Sequence, residues 1–207
     1  MKRPDKIISR LKSGEPLRIV ALGDSLTQGW MVRRGYVDFL NEMIKKRFPN
    51  SRFVLINRGI PGDTAEGGLY RLEYDVIGEK PDCVIVQFGL NDAFSGYSPD
   101  EYESLINKII TEIRKSTQAE IILVTSSYIG AIRENRIVEE FYGRLENLAR
   151  KHGLPIAKVH AYWKKRISED VEFRKLVQFD SVHPTELGYM LMAEAIMQLF
   201  EETDEIS

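Results

Sequence analysis

Five short apolar runs punctuate the chain: RIVALG (18–23), FVLINRG (53–59), CVIVQFG (83–89), EIILVTS (120–126) and PIAKV (155–159). They are rich in Val and Ile and mostly lack the polar alternation of a half-exposed strand. Runs of this kind read as parallel strands covered on both faces. Segments with helical spacing lie between them. YVDFLNEMIKKRF puts Tyr36, Phe39, Leu40, Met43 and Ile44 on one stripe. SPDEYESLINKIITEIRKST opens with Ser98 as a cap, Pro99 in the first turn and Glu101 three residues after the cap. RIVEEFYGRLENLARKHG stops at Gly153, and TELGYMLMAEAIMQLFEE closes the chain from near Thr185. WKKRISEDVEFRKLVQ follows the fifth run and leads to no further strand.

Alternation of strand and helix predicts an α/β class: a parallel sheet of about five strands with helices on both faces, in one domain over 1–207. The tail ETDEIS is expected to fray. Sheets of this class bind ligands at the carboxyl ends of their strands. Polar and glycine residues collect there: Ser25 after the first run, Gly59 to Thr64 after the second, Gly89 to Asp92 after the third, and Ser126 to Tyr128 after the fourth.

Composition narrows the class without redirecting it. The 207 residues are 43% hydrophobic and 29% charged, with a formal net charge of -2. No global field favours nucleic acid or an anionic bilayer. Cys83 is the only cysteine, so no intrachain disulfide forms; it reads as a small buried hydrophobe in a reducing compartment. The N-terminal segment is basic but has no apolar core of a signal peptide, and no apolar run reaches membrane-spanning length. A cytoplasmic protein without stable membrane association is expected.

The stretch ALGDSLTQGW, 21–30, ends a strand in Gly23-Asp24-Ser25. Ser25 reads either as a helix cap or as a nucleophile. A nucleophilic serine needs a base, and the chain has three histidines. His152 sits at a helix end, and His160 follows the fifth run. His183 has Asp180 three residues earlier and Pro184 immediately after, so Asp180 and His183 share a short non-helical turn. Such a turn lets the carboxylate reach imidazole Nδ1–H and leaves Nε2 for a hydroxyl. On its own the same turn is an exposed loop with a capping Asp. Oxyanion donors are available in the Ser25 N–H, the Gly62 N–H and the Asn91 side-chain amide. Asp24 and Asp92 read as supporting hydrogen-bond acceptors.

GDSLTQG, NRGIPGDT, GLND and DSVH, in that order, resemble the four sequence blocks of the GDSL, or SGNH, hydrolase family. The resemblance spans nearly the whole chain. It implies a flavodoxin-like three-layer α/β/α fold and ester hydrolysis through an acyl-enzyme. It assigns the nucleophile to Ser25, the acid and base to Asp180 and His183, and the oxyanion hole to Ser25, Gly62 and Asn91. No organic cofactor is implied, and scattered histidines with one cysteine argue against a metal site. The G-x-S-x-G elbow of α/β-hydrolases is absent.

The substrate is expected to be a small-molecule ester with a short, acetyl-type acyl group; a lysophospholipid, a thioester or acyl transfer on the same site are the alternatives. Trp30, Phe94, Tyr128 and Val182 are candidate substrate contacts, and residues 129–137 are a candidate lid. A phosphate- or nucleotide-binding α/β module is the non-enzymatic alternative, although the phosphate-loop fingerprints are absent. Oligomeric state is left open.

Overall fold

The computed structural model describes residues 2–201, so the ETDEIS tail lies outside the described residues. Strands β1 (Pro16–Gly23), β2 (Arg52–Gly59), β3 (Cys83–Gln87), β4 (Glu120–Val124) and β5 (Ile156–Ala157) form one parallel sheet, ordered β2-β1-β3-β4-β5. This is the flavodoxin-like order, and its switch point lies between β1 and β3. The register sets Gly23 beside both Gly59 and Gln87, and Gln87 beside Val124. The carboxyl ends of four strands are therefore level, and the loops leaving them meet.

The helices are α1 (Asp5–Ser13), α2 (Ser25–Gln28), α3 (Tyr36–Arg47), α4 (Ala65–Tyr70), α5 (Leu72–Asp75), α6 (Leu90–Phe94), α7 (Pro99–Ser116), α8 (Ile132–His152), α9 (Val159–Ser168), α10 (Phe173–Leu176) and α11 (Glu186–Met197). The two-residue period of a strand sorts the apolar runs into two cores. Ile19, Ala21, Cys83, Ile85, Ile122 and Val124 pack with α1, α3, α9 and α11. Val20, Leu22, Val84, Val86, Ile121 and Leu123 face the other way, onto α7 and much of α8. Both faces of the central strands are apolar because both are covered.

Ser98 and Glu101 form the anticipated capping box on α7: Ser98 Oγ accepts from Glu101 N–H at 3.2 Å and Glu101 Oε2 accepts from Ser98 N–H at 2.8 Å. Gly153 ends α8 at φ +61°, and Thr185 caps α11. Four features differ from the sequence pattern. FVLINRG is an edge strand, only half-buried, because among the described residues it pairs with β1 alone, and Val54 is exposed. The fifth strand is two residues long, because the chain turns into α9 at Val159. The basic N-terminal segment forms α1, which buries Ile7, Ile8 and Leu11, and two short helices, α4 and α5, join β2 to β3. Among the described residues, no helix is long and apolar enough to cross a membrane.

Candidate active site

β1 stops at Gly23 because α2 folds directly against it. A Cβ there would stand 2.2 Å from Thr27 Oγ1 and 2.6 Å from the Gln87 carbonyl. Asp24 follows in an extended conformation, and its Oδ1 accepts the Leu26 N–H at 2.8 Å. The cap of α2 is therefore Asp24, not Ser25. Ser25 is the first helical residue, its hydroxyl free of capping duty and its N–H without an intrahelical acceptor.

The Ser25 hydroxyl lies 3.0 Å from His183 Nε2. His183 sits in a turn closed by an antiparallel bridge between Val177 and Pro184, with Gln178 N–H donating to the His183 carbonyl at 2.7 Å. Asp180 organises this turn. Its Oδ1 accepts the N–H groups of Val182 and His183, both at 2.9 Å, and its Oδ2 accepts His183 Nδ1–H at 2.6 Å. That last bond places the imidazole proton on Nδ1 and turns the Nε2 lone pair to the serine. Burial alone would raise the Asp180 carboxyl; the bonds from His183 and the two backbone N–H groups outweigh it and hold the group below its ordinary value. The spacing D-x-x-H is thus the geometry of one carboxylate serving a turn and a ring together.

Gly62 lies in the exposed turn after β2 at φ +77°, a conformation that favours glycine. The Asn91 amide donates to the Asp63 carbonyl at 2.8 Å, which uses one of its two hydrogens. Asp92 is fully buried and accepts the N–H groups of Ala65 (2.9 Å) and Gly89 (3.0 Å), joining the two loops from below. Its carboxyl is pushed up by burial, against those two bonds.

Beneath Ser25 runs a buried polar row. Gln87 donates to Asp24 Oδ2 at 3.2 Å and to Ser126 Oγ at 2.8 Å; Thr27 donates to Gln87 Oε1 at 2.8 Å and lies 3.0 Å from the Tyr36 hydroxyl. Burial pushes the Asp24 carboxyl up to about 7, with Leu26 N–H and the Gln87 amide opposing. Gln87, like Arg71 and Asn135, went unmarked in the sequence; its one signal is that it is the polar residue inside CVIVQFG, whereas Arg71 and Asn135, which also brace the site, stand in charged helical segments that read as solvated.

The other histidines stand elsewhere. His152 ends α8, with Nε2 2.7 Å from Asn107 Oδ1. His160 is buried in α9, 3.0 Å from Asn135 Oδ1, and burial lowers its imidazole to about 4. Of the anticipated substrate contacts, Trp30 and Val182 lie beside His183: the Trp30 ring centroid is 5.9 Å from that of His183. Tyr128 is half-buried between His160 and Phe173, and Phe94 is exposed at the end of α6. Arg34 pairs with Glu42 and stacks on Phe39. The segment 129–137 does not hang free. Asn135 Nδ2 donates to the Ile129 carbonyl at 2.5 Å and the Ala131 carbonyl at 2.8 Å, and Gly130 N–H bonds the Ser181 carbonyl. Among the described residues, no group of three or more His, Cys, Asp or Glu could hold a metal ion.

A level-ended parallel sheet presenting serine, histidine and carboxylate in one hydrogen-bonded row defines a serine-hydrolase type of α/β protein. The chain belongs to the GDSL-like lipase/acylhydrolase family, whose model matches residues 21–191, and that membership makes it a carboxylic ester hydrolase. It is 26% identical to an acetylxylan esterase of Geobacillus stearothermophilus over 91% of this chain and 95% of that one. It is 27% identical to thioesterase 1/protease 1/lysophospholipase L1 of Escherichia coli, over 80% and 74% of the respective chains. In fold, it superposes with a TM-score of 0.81 on a catalytic mutant of the Geobacillus acetylxylan esterase, at 23% identity, covering 90% of this chain and 95% of that one.

Proposed function

We propose that the protein is a serine esterase for short-acyl, acetyl-type esters of small molecules, acting through an acyl-enzyme on Ser25. The observation that carries the reading is the row Asp180 Oδ2–His183 Nδ1 at 2.6 Å and His183 Nε2–Ser25 Oγ at 3.0 Å. His183 takes the Ser25 proton as Oγ attacks the ester carbonyl. The N–H groups of Ser25 and Gly62 and the Asn91 amide hold the oxyanion. His183 then protonates the leaving alkoxide, and water activated by the same ring releases the acid and restores Ser25. Asp180 fixes the tautomer and stabilises the imidazolium between the two proton transfers. The acetyl preference is supported by the likeness to an acetylxylan esterase over 91% of this chain.

A net charge of -2 fits a diffusing small ester better than nucleic acid or a bilayer as partner. A longer acyl chain is the second reading. Met31, Ile60, Phe94 and Phe179 are exposed in the segments leaving the carboxyl ends of the strands or beside Asp180, as an apolar rim for such a chain would be.

The test is hydrolysis of p-nitrophenyl esters from acetate to long chains, wild type beside Ser25→Ala. Turnover of acetate that the variant loses supports the reading. An optimum at long chains favours the second. Activity that survives in the variant removes Ser25 as nucleophile.

A further inference from the structure

Arg71 closes the α4–α5 junction and is nearly buried, with 13% of its side chain exposed. Its guanidinium reaches three separate segments. Nε donates to Asp63 Oδ2 at 2.8 Å, one residue past Gly62. One terminal nitrogen donates to the Arg58 carbonyl and to Asp75 Oδ2, both at 2.8 Å. The other donates to the Gly23 carbonyl at 3.0 Å, two residues before Ser25. The same Gly23 carbonyl accepts the Ile60 N–H at 3.0 Å, so the end of β1 and the turn after β2 already share an acceptor. Asp63 carries the contact onward, because its own carbonyl receives the Asn91 amide at 2.8 Å. Asp63 fits only because residue 67 is glycine: a Cβ there would stand 1.8 Å from Asp63 Oδ1.

We infer that Arg71 is a positioning residue that sets the spacing of the three oxyanion donors. One planar cation grips the Gly23 carbonyl next to the Ser25 element and the Asp63 carboxylate next to Gly62; through Asp63 it fixes the acceptor that orients Asn91. Only a planar fork makes these contacts at once, so an ammonium of equal charge does not replace it. Asp63 and Asp75 balance its charge, which keeps the clamp affordable in a poorly solvated position. Arg71 moves no proton and touches no substrate. Its contribution appears where negative charge develops on the carbonyl oxygen, not where the ground-state ester binds.

The inference rests on the oxyanion roles of Gly62 and Asn91 proposed above, and its test does not depend on the natural substrate. Arg71→Lys and Asp63→Asn are compared with wild type and Ser25→Ala by three measurements: active-site titration with a fluorophosphonate, the rate constant of that labelling, and steady-state hydrolysis of p-nitrophenyl acetate per titrated site. Both variants are expected to titrate fully, to lose roughly ten- to hundredfold in kcat and in labelling rate with KM within about twofold, and to bind a trifluoromethyl ketone inhibitor more weakly by the same factor as kcat/KM. The pH at which the acid limb of kcat/KM falls should not move, since His183 and Asp180 are untouched. Variants with fewer titratable sites but wild-type kcat per site would show a folding role only and overturn the inference, as would a loss confined to KM. Failure of the esterase reading has a different signature: no labelling of Ser25 in the wild type itself, which overturns both.

Discussion

Gly130 donates its backbone N–H to the Ser181 carbonyl across 2.9 Å, so the loop after β4 holds the turn that carries Asp180 and His183. The contact is tight. A Cβ at residue 130 would meet Ser181 Cβ at 2.8 Å and Phe173 Cε1 at 3.2 Å. Gly130→Ala must therefore push the turn away, and with it the imidazole. A displacement of an ångström at a general base costs on the order of a hundredfold, so kcat should fall by roughly ten- to a hundredfold. Gly130 itself is exposed, and the thermal midpoint should shift little. Steady-state kinetics on p-nitrophenyl acetate read the effect; an unchanged kcat would mean that the turn absorbs a methyl group without moving His183.

Asp180→Asn separates the two duties of that carboxylate. The side-chain oxygen of Asn still accepts the Val182 and His183 N–H groups, so the turn should persist with stability nearly unchanged. The atom facing His183 Nδ1 becomes an NH₂, which favours the wrong imidazole tautomer. The expected loss is about 10³–10⁴-fold in kcat. Calorimetry beside kinetics checks both halves, and a variant that keeps a tenth of the activity would overturn the role of Asp180 in fixing the His183 tautomer.

Much of this arrangement is written locally in the chain. Asp180, His183 and Pro184 are near neighbours, so their shared turn follows from short-range rules. The five apolar runs announce strands because both cores are apolar. What stayed hidden depends on tertiary placement. Arg71 has the sequence of a solvated helix charge, and nothing local says that Gly23, Arg58 and Asp63 converge on it. Asn135 looks like any polar residue in RENRI, yet it is buried and fastens Ile129 and Ala131. The cap of α2 is equally ambiguous from residue type. Asp24 and Ser25 are both good capping residues, and only the Leu26 N–H bond to Asp24 decides between them. The N-terminal helix was obscured because Ile7, Ile8 and Leu11 are few among many charges.

Asp24 gives the protein a pH-dependent stability. Its carboxyl lies near 7 when folded and near the ordinary 3.8 when unfolded. A raised acid stabilises the fold fully at low pH, and the contribution is lost as pH rises through about 7. Between pH 4 and 8 the loss is on the order of a few kcal/mol. Asp24→Asn still caps α2 but cannot ionise. Thermal midpoints should decline more steeply with pH over this range in wild type than in the variant. Parallel curves would show that the carboxyl ionises at its ordinary value despite burial.

His160 tilts stability in the opposite direction. Its imidazole titrates near 4 in the fold against 6.5 for the free side chain, because burial opposes the charged form. A lowered base favours folding above the free value, and that contribution is lost as pH falls from about 6.5 towards 4, up to about 3 kcal/mol. The nitrogen that donates to Asn135 Oδ1 at 3.0 Å can be replaced by a glutamine amide, so His160→Gln should keep the loop at 129–131 and remove only the titration. The variant should unfold less readily than wild type at pH 4.5 relative to their difference at pH 8. Combined with Asp24→Asn, whose effect has the opposite sign over nearly the same pH range, the two changes should add and largely cancel, since the two groups share no hydrogen-bond partner. Equal acid sensitivity in wild type and His160→Gln would mean that another group, and not this imidazole, takes up the proton on acid unfolding.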